Sequence, residues 1–160
     1  MDINQIEKQI QNLLQQVGTV RKENAKILEA SGGYFNMFRI CGVNHYENTH
    51  SAIIAEFLNP KGTHSFKAMF LERFIKMFCN DALKPSFDFE NANVTTEYYI
   101  DNGRIDIFIE DKKNHAIIIE NKIYADDGWE QLKKYDDFAK KEYGEGNYQI
   151  FYLLSYPTGS

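Results

Sequence analysis

Between residues 94 and 122 the chain holds three apolar runs separated by only two short polar turns. Residues 94–100 are rich in β-branched and aromatic side chains. Asp101-Asn102-Gly103 is a strong turn signal, and residues 104–110 alternate apolar and polar. Residues 111–114 form a second polar turn, and residues 116–122 a third strand. Three adjacent strands joined by two short turns form an antiparallel meander.

Helical patterns flank the meander. Residues 3–30 place Ile3, Ile6, Ile10, Leu13 and Leu14, then Val20, Ile27 and Leu28, on an amphipathic helix. Gly18 is expected to break or kink that helix, and Ser31-Gly32-Gly33 to end it. Its apolar face suits either a dimer surface or a support for the core. Residues 34–40 are aromatic-rich and of undefined type. Asn44 suits a helix N-cap with Glu47 at the third helical position. Ile53, Ile54, Phe57 and Leu58 are the expected buried stripe, and Asn59-Pro60-Lys61-Gly62 the stop. A further helix over residues 66–79 turns Met69, Phe70, Phe74 and Met77 inward. After the meander, residues 126–141 read as a helix with Trp129, Leu132, Tyr135 and Phe138 on its buried side. Residues 148–155 read as a last strand. The order predicts an α/β (α+β) fold. The expected organisation is a helical extension over residues 1–33 and one domain over residues 34–160.

Bulk features exclude several classes. Of the 160 residues, 43% are hydrophobic and 14% aromatic, too many for a disordered chain. Cys41 and Cys79 make neither a disulfide framework nor a Cys-x-x-Cys pair. The N-terminus lacks a leader pattern, and no apolar run approaches membrane-spanning length. These features predict a cytoplasmic protein with no membrane partner. The net charge of -5 argues against a generic basic nucleic-acid coat. Residues 81–160 hold 16 acidic against 9 basic side chains, so the acid excess lies there.

That half also holds the residues capable of chemistry. Alternation places Ile105, Ile107 and Ile109 on one face of the second strand and Asp106 on the other, with Arg104 and Phe108. On the third strand Glu120 and Lys122 share a face opposite Ile117 and Ile119. Charge at the end of an apolar strand is costly to bury without a purpose. Asp106 and Glu120 together would hold a hard cation such as Mg2+. The Lys122 ammonium could position or deprotonate a water, or offset charge at a phosphate. The plain alternative is a strand end whose Glu-x-Lys faces solvent.

Gly103-Arg104-Ile105-Asp106-Ile107, followed by Ile117-Ile118-Ile119-Glu120-Asn121-Lys122-Ile123, resembles the signature of the PD-(D/E)XK nuclease superfamily. Ile105 stands where the literal motif has proline. Glu47-Asn48-Thr49-His50-Ser51, leading to Phe57-Leu58-Asn59-Pro60-Lys61-Gly62 and His64, is similar to the early helix of one bacterial branch. Gln131-Leu132-x-x-Tyr135 resembles the QxxxY element of several branches. The resemblance implies a restriction-endonuclease-like αβββαβ core with a mixed central sheet flanked by helices. It implies metal-dependent phosphodiester hydrolysis with Mg2+ or Mn2+, on DNA rather than RNA, in phage defence, restriction or repair. Asp106 and Glu120 would be metal ligands, joined by the backbone carbonyl of Asn121 and, directly or through water, by Glu47. Lys122 would be the catalytic lysine. Gln131 would orient Lys122, the water or a phosphate, and Tyr135 would only pack. Glu47 keeps a second reading as the far member of a capping box with Asn44. The rival from another class is a non-catalytic module that keeps the fold and binds nucleic acid or a protein. A homodimer, or a place in a longer chain, is compatible with either.

Overall fold

The computed structural model describes residues 3–30, 40–43, 46–123 and 128–154. The features expected at Ser31-Gly32-Gly33, residues 34–39, Asn44, Asp126-Asp127 and Ser155 lie outside them. The chain divides into two compact units, Met1–Val43 and Asn44–Ser160. In the first, helix α1 spans Ile3–Ala30 and runs unbroken through Gly18. The expected break is absent because one glycine costs only about 1 kcal/mol in a helix interior. The Gln, Leu, Lys and Glu residues around it propagate the helix.

The second unit contains α2 (Glu47–Leu58), α3 (Met69–Phe78), β1 (Asn93–Ile100), β2 (Gly103–Glu110), β3 (Ala116–Lys122), α4 (Trp129–Tyr143) and β4 (Tyr148–Leu154). The sheet order is β1-β2-β3-β4. The β1–β2 and β2–β3 pairs are antiparallel, as the short turns require, and β4 joins β3 in parallel after the α4 crossover. This is the restriction-endonuclease-like α/β core, with a mixed sheet between helices.

Both faces of the sheet are covered. Ile107, Ile109, Ile117 and Ile119 pack with Ala55 and Leu58 of α2 and with Leu71 and Ile75 of α3. Phe108, Ala116 and Ile118 pack with Tyr135 and Ala139 of α4. Strand β3, buried on both sides, accordingly reads as a continuous apolar run. Each fully buried isoleucine contributes about 1.5–3 kcal/mol of transfer free energy. One expected partition fails: Ile105 packs with the α4 cluster and not with Ile107 and Ile109. Alternation slips at Asp106, where the β1 ladder skips Glu97, a residue at φ 53°.

The helix faces also differ from expectation. In α2 the buried residues are Ser51, Ala55 and Leu58, while Phe57 is 46% exposed and Ile53 and Ile54 are half-buried. Small side chains at positions 51 and 55 let the helix lie close to the sheet. In α3 the inward residues are Leu71 and Ile75, continued by Cys79, and Met77 is exposed. Every third or fourth position is apolar on more than one face here, so periodicity alone could not choose. Trp129, expected on the buried side of α4, is 74% exposed, because it opens the helix at the mouth of a cavity and does not pack into the core.

Candidate active site

The site forms where the sheet opens. The β2–β3 ladder runs from Glu110↔Ala116 to Ile107↔Ile119 and pairs no residue beyond. Past that point the Asn121 backbone N–H donates to Asp106 Oδ2 at 2.9 Å, so the aspartate side chain replaces the lost strand partner. Asp106 and Glu120 are both buried there, Glu120 completely. The opening is made by the fold, but the residues around it are those picked out by their spacing.

Glu120 Oε1 lies 2.9 Å from Lys122 Nζ. That approach is electrostatic and not an aligned hydrogen bond, which leaves a buried carboxylate oxygen without a matched donor. Glu120 Oε2 lies 2.9 Å from the Tyr135 hydroxyl, which is also 2.6 Å from the Arg104 carbonyl oxygen. One phenolic proton cannot serve both acceptors. Gln131 Nε2 donates to the Tyr135 hydroxyl at 2.6 Å. Thus Gln131 reaches the site through Tyr135, while Tyr135, expected only to pack, touches the catalytic carboxylate candidate itself. The i, i+4 spacing of Gln131 and Tyr135 on one helix face is the signal that could have revealed this.

Glu47 comes to the same place from the start of α2. Its Oε1 accepts the Ile123 backbone N–H at 3.0 Å, and its Oε2 lies 3.6 Å from Lys122 Nζ. The N-cap is Tyr46, so Glu47 is the first helical residue and not the third. The capping-box geometry is therefore not formed. The carboxylate instead faces the end of β3, next to the positive end of the α2 dipole. Asn121 ties the two elements together: its side-chain amide donates to the Glu47 carbonyl at 3.3 Å and to Ser51 Oγ at 3.2 Å. Ser51 carried no sequence signal for this role.

Electrostatics follow from the burial. Desolvation pushes both Asp106 and Glu120 above the ordinary carboxylate range, against the Asn121 N–H on Asp106 and the Lys122 ammonium on Glu120. For Lys122 burial acts to lower the pKa. The Glu120 carboxylate 2.9 Å away, with the charges of Glu47 and Asp106, outweighs it, and the net direction is up. Lys122 is therefore a cation at neutral pH.

Among the described residues no three His, Cys, Asp or Glu side chains converge as a metal cluster. Two carboxylates do meet, and both have oxygen left to give. Glu120 Oε1 lacks an aligned donor, and Asp106 Oδ1 accepts no hydrogen bond among the described residues. An all-oxygen set of one or two carboxylates fits Mg2+, which keeps waters and takes phosphate oxygens as further ligands. His64 offers no comparable opening. Its Nδ1 accepts the Phe66 N–H at 3.0 Å, and its Nε2 meets the Asn59 carbonyl at 3.1 Å.

Beside the carboxylates, a cavity of about 320 Å³ is lined by Trp129, Leu132, Lys133, Asp136, Ile150 and Tyr152. Tyr152 is the β4 residue in register with Glu120, so the cavity lies one strand from that carboxylate. A Cβ at position 128 would come within 2.8 Å of the Tyr152 ring, so any larger residue there would require that ring to move.

The family model of the PD-(D/E)XK nuclease superfamily matches residues 35–159. No curated protein matches the chain. Two solved structures are similar to it. A repair endonuclease from Pyrococcus abyssi has 24% identity and a TM-score of 0.34, over 54% of this chain and 36% of that one. The EndoMS-dsDNA2 complex has 18% identity and a TM-score of 0.33, over 57% of this chain and 37% of that one. The chain thus spans little more than a third of the length of either.

Proposed function

Since this chain belongs to the PD-(D/E)XK nuclease superfamily, we propose that it is a divalent-metal-dependent nuclease that hydrolyses phosphodiester bonds in DNA, acting in the cytoplasm. The single observation that carries this is the convergence of Asp106, Glu120 and Lys122 at the point where β2 and β3 part. Asp106 and Glu120, with the Asn121 carbonyl and Glu47 directly or through water, would hold Mg2+ or Mn2+. Such an ion supplies Lewis-acid polarisation of the phosphodiester and a bound water of lowered pKa.

The remaining roles belong to this chain's own groups. Of the roles open to Lys122, the ammonium form fits best. Three carboxylates oppose loss of its proton, which suits it to offset charge at the phosphate or orient the water. Tyr135 and Gln131 hold the Glu120 carboxylate, and Glu47 holds Lys122 and the end of β3. Tyr135 and Gln131 are positioning residues; Asp106, Glu120 and Lys122 are the catalytic candidates, with Glu47 completing the metal site directly or through water. The exposed Trp129 ring and Lys133 offer a stacking face and a cation to a strand lying across the site.

The test is cleavage of plasmid and single-stranded DNA with Mg2+ or Mn2+, comparing wild type with Asp106→Ala and Lys122→Ala. Metal-dependent cleavage lost in both variants is the expected result. Cleavage that survives both substitutions overturns the assignment. DNA binding without cleavage under any of these conditions would make the chain a binding module on a nuclease fold. Trp129 is the only tryptophan, so its fluorescence reports binding separately from cutting.

A further inference from the structure

We infer that α1 is a dimerisation element, through which two copies of this chain join as a parallel, in-register, two-stranded coiled coil. From Ile6 the seam steps by alternating four and three residues through Ile10, Leu13, Val17, Val20, Asn24 and Ile27. A strict four-three alternation has a period of about 3.5 residues, which keeps a narrow seam facing a second helix. Leu14 and Leu28 flank that seam at e positions and widen its apolar edge. All seven positions lie on one unbroken helix, and the six apolar members are 38% to 63% exposed.

Asn24 identifies the occupant. It sits at an a position, with Ile10 and Val17 in the same register and Ile6, Leu13, Val20 and Ile27 at d. An amide facing an apolar groove would lose its hydrogen bonds to water without replacement. Facing Asn24 of a second copy in parallel register, each amide can donate to the other, and the pair sets the register. An antiparallel pair would set Asn24 against Ile6. The β-branched a residues Ile10 and Val17 favour two strands. Charge is compatible with self-pairing too. Residues 3–30 carry four basic and three acidic side chains. In the parallel register Gln9 faces Leu14 and Gln16 faces Arg21 of the other copy, so neither pair sets like charges together.

The test uses the full chain. Light scattering should return twice the 18.7 kDa chain mass, and Leu13→Glu should halve that mass. Ile6→Cys, in a Cys41→Ser background that removes the exposed native thiol, should oxidise to a linked pair. In an antiparallel pair the two introduced thiols would stand about 27 Å apart and would not link. Asn24→Ile should loosen the register and admit species larger than a dimer. A monomeric wild type, a dimer indifferent to Leu13→Glu, or a dimer whose introduced thiols fail to link would each overturn the inference.

Discussion

The β2–β3 hairpin carries buried carboxylates at both of its ends, and the two ends treat them oppositely. At the turn, Asp111 accepts the backbone N–H groups of Asp88 (2.7 Å), Lys113 (2.8 Å) and His115 (2.9 Å), and its Oδ2 lies 2.8 Å from His115 Nδ1. Burial alone would push Asp111 up; the four bonds together hold it below the ordinary carboxylate range. At the open end Asp106 and Glu120 are raised, because burial exceeds what one N–H, one tyrosine and one ammonium return. The first carboxylate is satisfied and serves the fold. The other two are left short of donors, which is the state a cation-binding pair needs. Burial of charge does not by itself mark a site; an incomplete set of partners does.

Substitutions at the two ends should separate activity from stability. The largest expected effect is on cleavage: Lys122→Ala or Glu120→Ala lowers kcat by about 10²–10⁴-fold, while Asp111→Ala leaves cleavage per folded molecule nearly unchanged. Equal losses of activity at both ends would erase the distinction. In urea melts the order reverses. Asp111→Ala removes the acceptor of three backbone N–H groups and lowers stability by about 3 kcal/mol. Glu120→Gln should leave stability unchanged or raise it by about 1 kcal/mol, as replacements that relieve a functional site's unpaired charge do.

The pH dependence of stability follows from the sign at Asp111. Its folded pKa lies below the unfolded value, so its contribution is present above about pH 4 and is lost as pH falls through that value and below. Melts of wild type and Asp111→Asn between pH 7 and pH 3 should therefore converge toward the acid end; a constant gap would show that the four bonds do not favour the charged form. The smallest effects concern the positioning residues. Tyr135→Phe should cost about 10- to 100-fold in metal affinity or activity, and Gln131→Ala less than that. Both should show a shifted metal titration with little change in substrate KM. A Gln131→Ala loss as large as that of Lys122→Ala would place Gln131 at the reacting atoms instead.

Much of the core was legible because few topologies satisfy its pattern. The 101–103 and 111–114 turns are too short for anything but antiparallel neighbours, and the period-two spacing of Glu120 and Lys122 put both on one face of β3. Helix faces were less legible. Phe57, Met77 and Trp129 are apolar residues that sequence placed inside and the structure places outside. Residues such as Ser51 and Ala55 carry the inward face of α2 with no apolar signal of their own.

What the sequence determined by itself is the set of local choices: strand against helix, turn positions, and the pairing of a carboxylate with a lysine two residues on. These depend on spacings of a few residues, which steric rules and side-chain periodicity control directly. What only the tertiary structure decided is which long-range neighbours complete each group. Glu47 turns from a helix cap to the Ile123 N–H and Lys122, 75 or more residues away. Tyr135 turns from packing to the Glu120 carboxylate. In both cases the deciding energy is that of a buried polar group left without a partner, and no local pattern records which distant group will supply one.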